Sequence, residues 1–263
     1  MKAKRNPTMQ ELRKVALLCA NEDTVAIGGM AVSILAEVYG ADTGEPCMTL
    51  DADFFGDRLA IELSEKQLAG YDLRKYLATL DDSATPNSGK LAVDIDRDAE
   101  PAEVDFLFRV DGLSSDEIES KAMRVEIDGK PIRVMHPILL LENKINNLAL
   151  FPNKRNGAGV NQARLAIAIA RSYLDRIDDQ RSLLAAIERI GRFSQREASC
   201  FAFKAFGLDT LTAIASERVT SPEFATKRWP QLQQAVGQRR AAFSQLWERM
   251  ALKADPKQSR FRI

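Results

Sequence analysis

The sequence predicts an α/β (α+β) fold in which a mixed sheet with flanking helices is followed by a helical bundle. Up to about residue 135, short stretches that alternate apolar and polar side chains are interleaved with helical patterns. From Pro137 onward, apolar residues recur at helical spacing and no strand-like alternation interrupts them. A chain of 263 residues is long enough for two domains. We therefore place a sheet-containing domain at 1–135 and a helical domain with a basic surface at 136–263.

The first domain is predicted to begin with a helix after Pro7, where Thr8 and Glu11 have the spacing of a capping box. A short strand at 25–27 leads through two glycines into a second helix. Asp128 and Gly129 indicate a hairpin turn between the last two strands. The remaining predicted elements are strands at 48–55, 90–96, 103–110, 123–127 and 132–135 and a helix at 64–80.

The second domain is predicted to be helical throughout. Leu165, Ile169 and Tyr173 lie at helical spacing, and a long helix is expected to open after Trp229 and Pro230. This pattern predicts a bundle in which apolar stripes of several helices face one another.

Composition narrows the class of protein. Hydrophobic residues make up 45% of the chain and charged residues 28%, which is ordinary for a globular protein. Cys19, Cys47 and Cys200 form no CxxC pattern, which favours reduced thiols in a cytoplasmic protein. The single histidine, His136, argues against a zinc site built from histidines and against a Ser-His-Asp triad. No signal-peptide pattern or run of about 18 apolar residues predicts contact with a membrane.

The formal net charge of zero conceals a strong asymmetry. Residues 136–263 contain 21 basic and 11 acidic groups, whereas residues 1–135 contain 16 and 26, so the two parts carry formal charges of +10 and −10. A basic surface beside an acidic cleft suits an enzyme that acts on a polyanion such as RNA. The alternative is that the two halves neutralise each other across a domain interface.

Gly28 and Gly29 stand between the first short strand and a helical pattern. Glycines allow a tight turn there, and backbone N–H groups at such a helix start can hold phosphate oxygens. Downstream, Asp51 and Asp53 lie two residues apart on a predicted strand, so both side chains point to the same face. Leu50, Ala52 and Phe54 are expected on the opposite face. Paired carboxylates near a phosphate site are typical of Mg²⁺ binding.

A third carboxylate is expected on a neighbouring strand, and the segment AEVDFLFRV supplies Glu103 and Asp105. Both point to one face of that strand, with Val104, Phe106 and Phe108 on the other, so from the strand pattern either could be the third ligand. A second pair, Asp94 and Asp96, also shares a strand face and competes for the metal. It lacks an upstream glycine pair, and we interpret it as a solvated strand face.

This set of residues resembles the nucleotidyltransferase superfamily, and within it the AbiEii/AbiGii toxin-like branch. The matching positions are the glycine pair, then Thr49, Asp51 and Asp53 in the pattern T-x-D-h-D-h, and a later single aspartate, for which the motif favours Asp105. The resemblance covers roughly residues 20–155. It implies a nucleotidyltransferase-like sheet domain whose metal ligands are these three aspartates.

The resemblance also assigns two basic residues. A lysine on the helix after the last strand is usual in this branch, and VMHPILLLENKINNLAL places Lys144 there as a catalytic and nucleotide-binding residue. Arg155 follows as a further nucleotide-binding residue. The chain departs from the family at Met30, where a serine or threonine is common. It also has Asn161 and Gln162 near the position of the family's Lys-Asp pair.

The function implied by the resemblance is transfer of an NMP from an NTP to an RNA, such as tRNA, or to a protein. The cofactor would be Mg²⁺ or Mn²⁺, and the protein would be the toxin of a toxin–antitoxin or phage-defence pair with a cognate antitoxin. A different class of function is a catalytically inactive protein of the same fold that binds nucleotide or RNA as a regulatory partner. A third is modification of a cationic small molecule, against which the basic second half argues.

Overall fold

The computed structural model describes residues 4–45, 47, 49–79, 86–219 and 221–253, with side chains described up to residue 249. It divides into two compact units, Met1–Asn143 and Lys144–Ile263. The first unit contains β1 to β7, α1 to α4 and the first half of α5. The strands are β1 Val25–Ala26, β2 Asp51–Phe55, β3 Asp72–Leu77, β4 Asn87–Asp94, β5 Ala102–Leu107, β6 Met123–Ile127 and β7 Lys130–Val134. The helices are α1 Met9–Cys19, α2 Gly28–Tyr39, α3 Arg58–Gln67, α4 Ser115–Lys121 and α5 Pro137–Leu150.

The seven strands form one mixed sheet in the order β3-β4-β5-β2-β1-β7-β6. β2 and β5 run parallel, as do β1 and β7, and the other neighbours are antiparallel. Helices α1 and α3 pack on one face of β2, β4 and β5. Phe54 and Phe106 lie fully buried on that face and stack with ring centroids 5.8 Å apart. The opposite face of the same strands carries the acidic residues.

Local signals explain several element boundaries. The Thr8 hydroxyl accepts a hydrogen bond from the Glu11 backbone N–H, and the Glu11 carboxylate accepts one from the Thr8 N–H, so the predicted capping box is present. Asp128 and Gly129 both adopt positive φ, 51° and 73°, as a tight hairpin turn between β6 and β7 requires. Asp57 caps α3 by accepting from two backbone N–H groups.

The predicted helix at 64–80 is wrong in its extent. Helix α3 ends at Gln67, and residues 72–77 form β3, which pairs with β4 at the edge of the sheet. Gly70 follows the helix end, and glycine favours termination there. The apolar spacing of this segment fits a helix, but its backbone hydrogen bonds go to a strand more than ten residues later.

Two apolar residues expected on the strand faces opposite the carboxylates are exposed. Leu50 is 65% exposed and Phe108 is 47% exposed. Strand β2 begins at Asp51 and β5 ends at Leu107, so the alternation of strand faces does not extend to either residue. Met48, with which we expected the second strand to begin, lies outside the described residues. Helix α4 was not predicted.

The second unit is helical in the part that is described. It contains the end of α5, then α6 Gly157–Asp175, α7 Gln180–Phe193, α8 Glu197–Phe206 and α9 Trp229–Lys253, with 3-10 turns at Pro152–Lys154, Thr210–Ala213 and Ser216–Arg218 and a π-helical turn at Phe224–Arg228. The fold class, a mixed sheet with flanking helices followed by C-terminal helices, is confirmed. Within the described ranges, none of the helices combines the length and apolar character needed to cross a membrane.

Candidate active site

Three aspartates meet on the face of the sheet opposite Phe54 and Phe106. Asp51 and Asp53 lie on β2 with their side chains on the same face, and Asp105 lies directly opposite Asp53 on the parallel strand β5. Each offers one carboxylate oxygen, and these oxygens all lie within 4.8 Å of one another. In the part of the chain that the structure describes, this is the one group of three or more acidic, histidine or cysteine side chains arranged to hold a metal ion.

The Asp105 carboxylate is largely enclosed. Its side chain is 15% exposed, and its Oδ1 atom is buried without a hydrogen bond from any described residue. The Lys90 ammonium lies 3.5 Å from Oδ1, too far for a good hydrogen bond. Burial raises the pKa of Asp105; Lys90 opposes that shift, whereas the negative charges of Asp51 and Glu103 add to it. A buried acceptor surrounded by like charge is a favourable place for a cation.

The spacing of these oxygens fits a divalent metal. Mg²⁺ binds oxygen ligands at about 2.1 Å in octahedral geometry, so oxygens bound to one ion lie about 3.0–4.2 Å apart. The oxygens of this site all lie within 4.8 Å of one another, so small side-chain rotations would bring them to that spacing. Carboxylate oxygens are also the ligands that Mg²⁺ and Mn²⁺ prefer. Asp51, Asp53 and Asp105 would hold the metal.

Thr49 orients the first of the three aspartates. Its hydroxyl lies 2.9 Å from Asp51 Oδ1, to which it donates, and 3.1 Å from the Asp51 carbonyl oxygen. A hydrogen bond that fixes a ligating carboxylate restricts its rotamer and leaves the second oxygen for the metal. The threonine of the T-x-D-h-D-h pattern thus has a physical role in this chain.

The glycine turn lies against the second aspartate. Gly28 has φ +61°, and a Cβ atom at this position would lie 1.8 Å from Asp53 Oδ2. The Ile27 N–H also donates to the Asp53 carbonyl oxygen at 2.9 Å, which fixes the start of α2 beside β2. Gly29 is buried, and its carbonyl oxygen accepts from the Cys47 thiol at 3.6 Å. Only glycine fits at residue 28 without displacing the carboxylate.

Met30 is 1% exposed, so its side chain belongs to the core and is not presented to a ligand. The contribution of the turn to phosphate binding would therefore come from backbone N–H groups at the start of α2.

The competing carboxylates lie elsewhere. Glu103 is opposite Asp51 in the register, but its side chain accepts from Lys90 at 2.8 Å and is half exposed. Asp96 pairs with Arg5 at 2.9 Å near the far end of β4. The structure therefore brings Asp105 together with Asp51 and Asp53 and does not add Glu103, Asp94 or Asp96 to that group.

Lys90 is a site residue that the sequence did not reveal. It lies on β4 opposite Asp105 and bridges the carboxylates of Asp105 and Glu103. Burial works against its charged form, but the two carboxylates outweigh burial and raise the pKa of Lys90. The alternation of side chains along β4 predicts that Lys90 lies on the polar face. Its position beside Asp105 follows only from the pairing of β4 with β5, which the sequence pattern does not give.

The two predicted basic residues lie in the second unit. Lys144 is 6% exposed, and its ammonium donates to Gln162 Oε1 at 2.8 Å. Arg155 donates to the carbonyl oxygens of Leu148 and Ala149 at the end of α5, both at 2.9 Å. These contacts satisfy the last carbonyl groups of that helix. The roles of Lys144 and Arg155 in nucleotide binding stay predictions.

No protein-family model matches this chain, and no curated protein matches it. Among solved structures, it has limited similarity to an antigenic nucleotidyltransferase-like protein from Paracoccidioides brasiliensis, with a TM-score of 0.42 and 16% identity, covering 71% of this chain and 95% of that chain. For the Megavirus polyadenylate synthase the TM-score is 0.42 and the identity 13%, covering 65% of this chain and 34% of that chain. The chain therefore spans about a third of the Megavirus protein. Its chemistry is inferred from its own residues.

Proposed function

We propose that this chain is a metal-dependent nucleotidyltransferase that moves an NMP from an NTP to an acceptor hydroxyl. The observation that carries this proposal is the meeting of Asp51, Asp53 and Asp105 with oxygens within 4.8 Å, directly beside the glycine turn at Gly28. A metal site next to a helix start that can bind phosphate is suited to transfer of a nucleotide from a nucleoside triphosphate.

In the proposed reaction the acceptor oxygen forms a bond to the α-phosphorus, and the bond from that phosphorus to the bridging oxygen of the β-phosphate breaks. Pyrophosphate leaves with the electron pair. Mg²⁺ or Mn²⁺, when bound, supplies positive charge that stabilises the attacking and leaving oxygens. Asp51 and Asp53 would hold this ion, whose charge would offset that of the triphosphate, and backbone N–H groups after Gly28 contact the outer phosphates. The Asp105 carboxylate accepts the proton of the acceptor hydroxyl.

Lys144 and Arg155 complete the proposal as cations that neutralise phosphate charge. Their support is the sequence pattern alone. Lys144→Ala should then reduce the free energy of NTP binding more than it reduces the free energy of unfolding. Lys144→Arg, which keeps the charge, is the matched control.

The test is transfer of label from each α-labelled NTP to total RNA and cell protein, with Mg²⁺ or Mn²⁺. We expect labelled RNA or protein from the wild-type chain and none from Asp51→Ala, with the circular dichroism spectrum unchanged. Asp96→Ala, which removes a carboxylate outside the group, should transfer normally. Equal transfer by Asp51→Ala and the wild type would refute the site. Retained NTP binding without any transfer would favour the catalytically inactive alternative.

The motif resemblance leads us to propose further that the protein is the toxin of a toxin–antitoxin or phage-defence pair. Induced expression in a bacterial host should then arrest growth, whereas Asp51→Ala should not. Normal growth with active protein would contradict the toxin role and leave the transferase proposal intact.

A further inference from the structure

A cavity of about 630 Å³ lies at β3 and β4, on the sheet face that carries the aspartates. It belongs entirely to the first unit, and its size is that of a site for a small molecule or one nucleotide. The side chains that matter for its chemistry are Leu50, Arg74, Tyr76, Lys90, Glu100 and Glu103.

The strand register connects this cavity to the metal site in one continuous row. Tyr76 lies opposite Lys90, Lys90 opposite Asp105, and Asp105 opposite Asp53. Residues directly opposite one another on neighbouring strands share a sheet face. At about 4.8 Å per strand, Tyr76 is about 10 Å from Asp105. The cavity is therefore within one nucleotide of the carboxylates.

The cavity presents one aromatic ring and one available cation. Tyr76 is 53% exposed, although tyrosine rings are usually packed against other residues. Arg74 lies two residues earlier on the same face of β3, and no residue that the structure describes forms an ion pair with it. Lys90 is engaged by Glu103 and Asp105. A flat ring beside a free guanidinium suits a nucleobase with its adjoining phosphate.

The position of the cavity identifies which nucleotide it would hold. In the sheet order, the glycine turn at the end of β1 lies on one side of the aspartates, and β4 and β3 lie on the other. An in-line displacement places the leaving pyrophosphate and the attacking oxygen on opposite sides of the α-phosphorus. With the outer phosphates at Gly28, the acceptor must approach from the side of Lys90 and Tyr76.

We propose that this cavity binds the 3′-terminal nucleotides of a single-stranded RNA acceptor, with Tyr76 stacking on a base and Arg74 contacting a phosphate. The inference rests on the proposed function, because the direction of approach depends on where the triphosphate binds. The 3′-terminal hydroxyl is then the group that attacks the α-phosphorus and gives its proton to Asp105.

The first test is binding of a 5′-fluorescein-labelled single-stranded RNA octamer to the full chain, without NTP or divalent metal, followed by fluorescence anisotropy. Tyr76→Ala should weaken binding roughly tenfold, and Tyr76→Phe should not, because stacking needs the ring and not the hydroxyl. Arg74→Ala should lower the slope of the logarithm of the binding constant against the logarithm of the salt concentration by the amount of about one phosphate contact. Arg74→Lys should restore the slope.

Matched controls lie on other surfaces of the same unit. Phe108 is an exposed aromatic residue in a different cavity, and Arg58 is an exposed cation on α3. Phe108→Ala and Arg58→Ala should leave RNA binding unchanged. Because β3 is an edge strand, we expect Tyr76→Ala to fold, and the circular dichroism melting curve checks this.

A second measurement locates the bound end. An octamer with 4-thiouridine at its 3′ terminus should cross-link to the peptide that contains Tyr76, and one with 4-thiouridine at its 5′ terminus should not. Cross-linking elsewhere, or RNA binding that is insensitive to both Tyr76→Ala and Arg74→Ala, overturns the proposal. A loss of NTP affinity in Tyr76→Ala with unchanged RNA affinity also overturns it, since the cavity would then hold the NTP base.

The outcomes separate this inference from the proposed function. Asp51→Ala should abolish transfer and keep RNA affinity. If the wild-type chain transfers nothing but binds RNA through Tyr76 and Arg74, the transferase proposal fails and the RNA site stands. If it transfers label to protein and binds no RNA, the transferase stands and the RNA site is refuted.

Discussion

Replacing Gly28 with alanine is the most direct perturbation of the candidate site. The substitution adds a single carbon where the chain has φ +61°, and that carbon would lie 1.8 Å from Asp53 Oδ2 and 2.8 Å from Asp53 Cβ. Non-bonded atoms cannot approach so closely. The Asp53 side chain or the start of α2 must move, and either movement separates the glycine turn from the carboxylate.

The loss of stability expected for Gly28→Ala has two parts. An alanine in the left-handed region costs about 1–2 kcal/mol. Displacing a packed side chain and its backbone adds about 1–3 kcal/mol. The free energy of unfolding should therefore fall by about 2–5 kcal/mol. Affinity for Mn²⁺ should fall at least about tenfold, because Asp53 no longer points at the other two carboxylates.

Gly40 offers a matched control at the other end of the same helix. It has φ +62°, and an added Cβ atom meets nothing within 4 Å. Gly40→Ala should lose only the backbone part, about 1–2 kcal/mol, and should keep Mn²⁺ affinity. Urea unfolding and calorimetric titration with Mn²⁺ measure both quantities for the two variants.

A clear result would refute this reasoning. If Gly28→Ala and Gly40→Ala lose the same stability and both bind Mn²⁺ as the wild type does, the contact between the glycine turn and Asp53 has no consequence for the site. The proposed role of the glycine turn in phosphate binding would then lose its structural basis.

Four further substitutions test other contacts. Thr49→Val should lower Mn²⁺ affinity roughly tenfold in calorimetric titration, because it frees the carboxylate that the hydroxyl orients. Glu11→Gln should destabilise the fold at pH 7 but not near pH 2 in urea unfolding: hydrogen bonds from arginine and threonine lower the pKa of Glu11 from 4.5 to about 2, so its contribution is lost as the pH falls through that range. Arg240→Ala should lower the free energy of unfolding by about 2–3 kcal/mol, since it leaves the half-buried Asp209 without its bidentate partner. Asp105→Asn should raise the melting temperature of the metal-free protein while weakening Mn²⁺ binding.

The controls for these variants are conservative changes or nearby residues. Thr49→Ser keeps the hydroxyl and should bind Mn²⁺ normally. Arg239→Ala removes an exposed cation next to Arg240 and should cost little. A Glu11→Gln difference that is the same at pH 7 and pH 2 would contradict a charge-dependent contact of Glu11 with Arg5, whose guanidinium lies 2.7 Å from the Glu11 carboxylate. Glu103→Gln also removes a negative charge near Asp105, but it breaks the 2.8 Å ion pair of Glu103 with Lys90 and should not stabilise the metal-free protein.

How much of the fold could be predicted depended on whether a signal is local. The hairpin at Asp128 and Gly129 and the capping box at Thr8 are each encoded within four residues, and both are present. The strand at 72–77 was predicted as a helix because its apolar residues fit helical spacing. Its actual partner is β4, and the pairing of two segments that are distant along the chain leaves no mark in the local pattern.

The candidate site follows the same rule. Asp51 and Asp53 share a face because side chains alternate along any strand, so the sequence alone was enough to pair them. Choosing Asp105 over Glu103 required the motif resemblance, since both lie on one face of β5. Lys90 could not be assigned, because its proximity to Asp105 depends on the register of two antiparallel strands.

The cluster of three aspartates lowers the stability of the metal-free fold. Asp105 Oδ1 is buried without a hydrogen bond, and the nearby charges of Asp51 and Glu103 disfavour its ionised form. Lys90 compensates only in part, because it lies 3.5 Å from that oxygen and also serves Glu103. A cluster of this kind lowers the free energy of unfolding. Binding of a cation restores that stability. Part of this cost arises at Asp105, the carboxylate that lies between the glycine turn and the cavity at Tyr76. That is the place where a nucleotidyl transfer needs charge held in advance of its substrates.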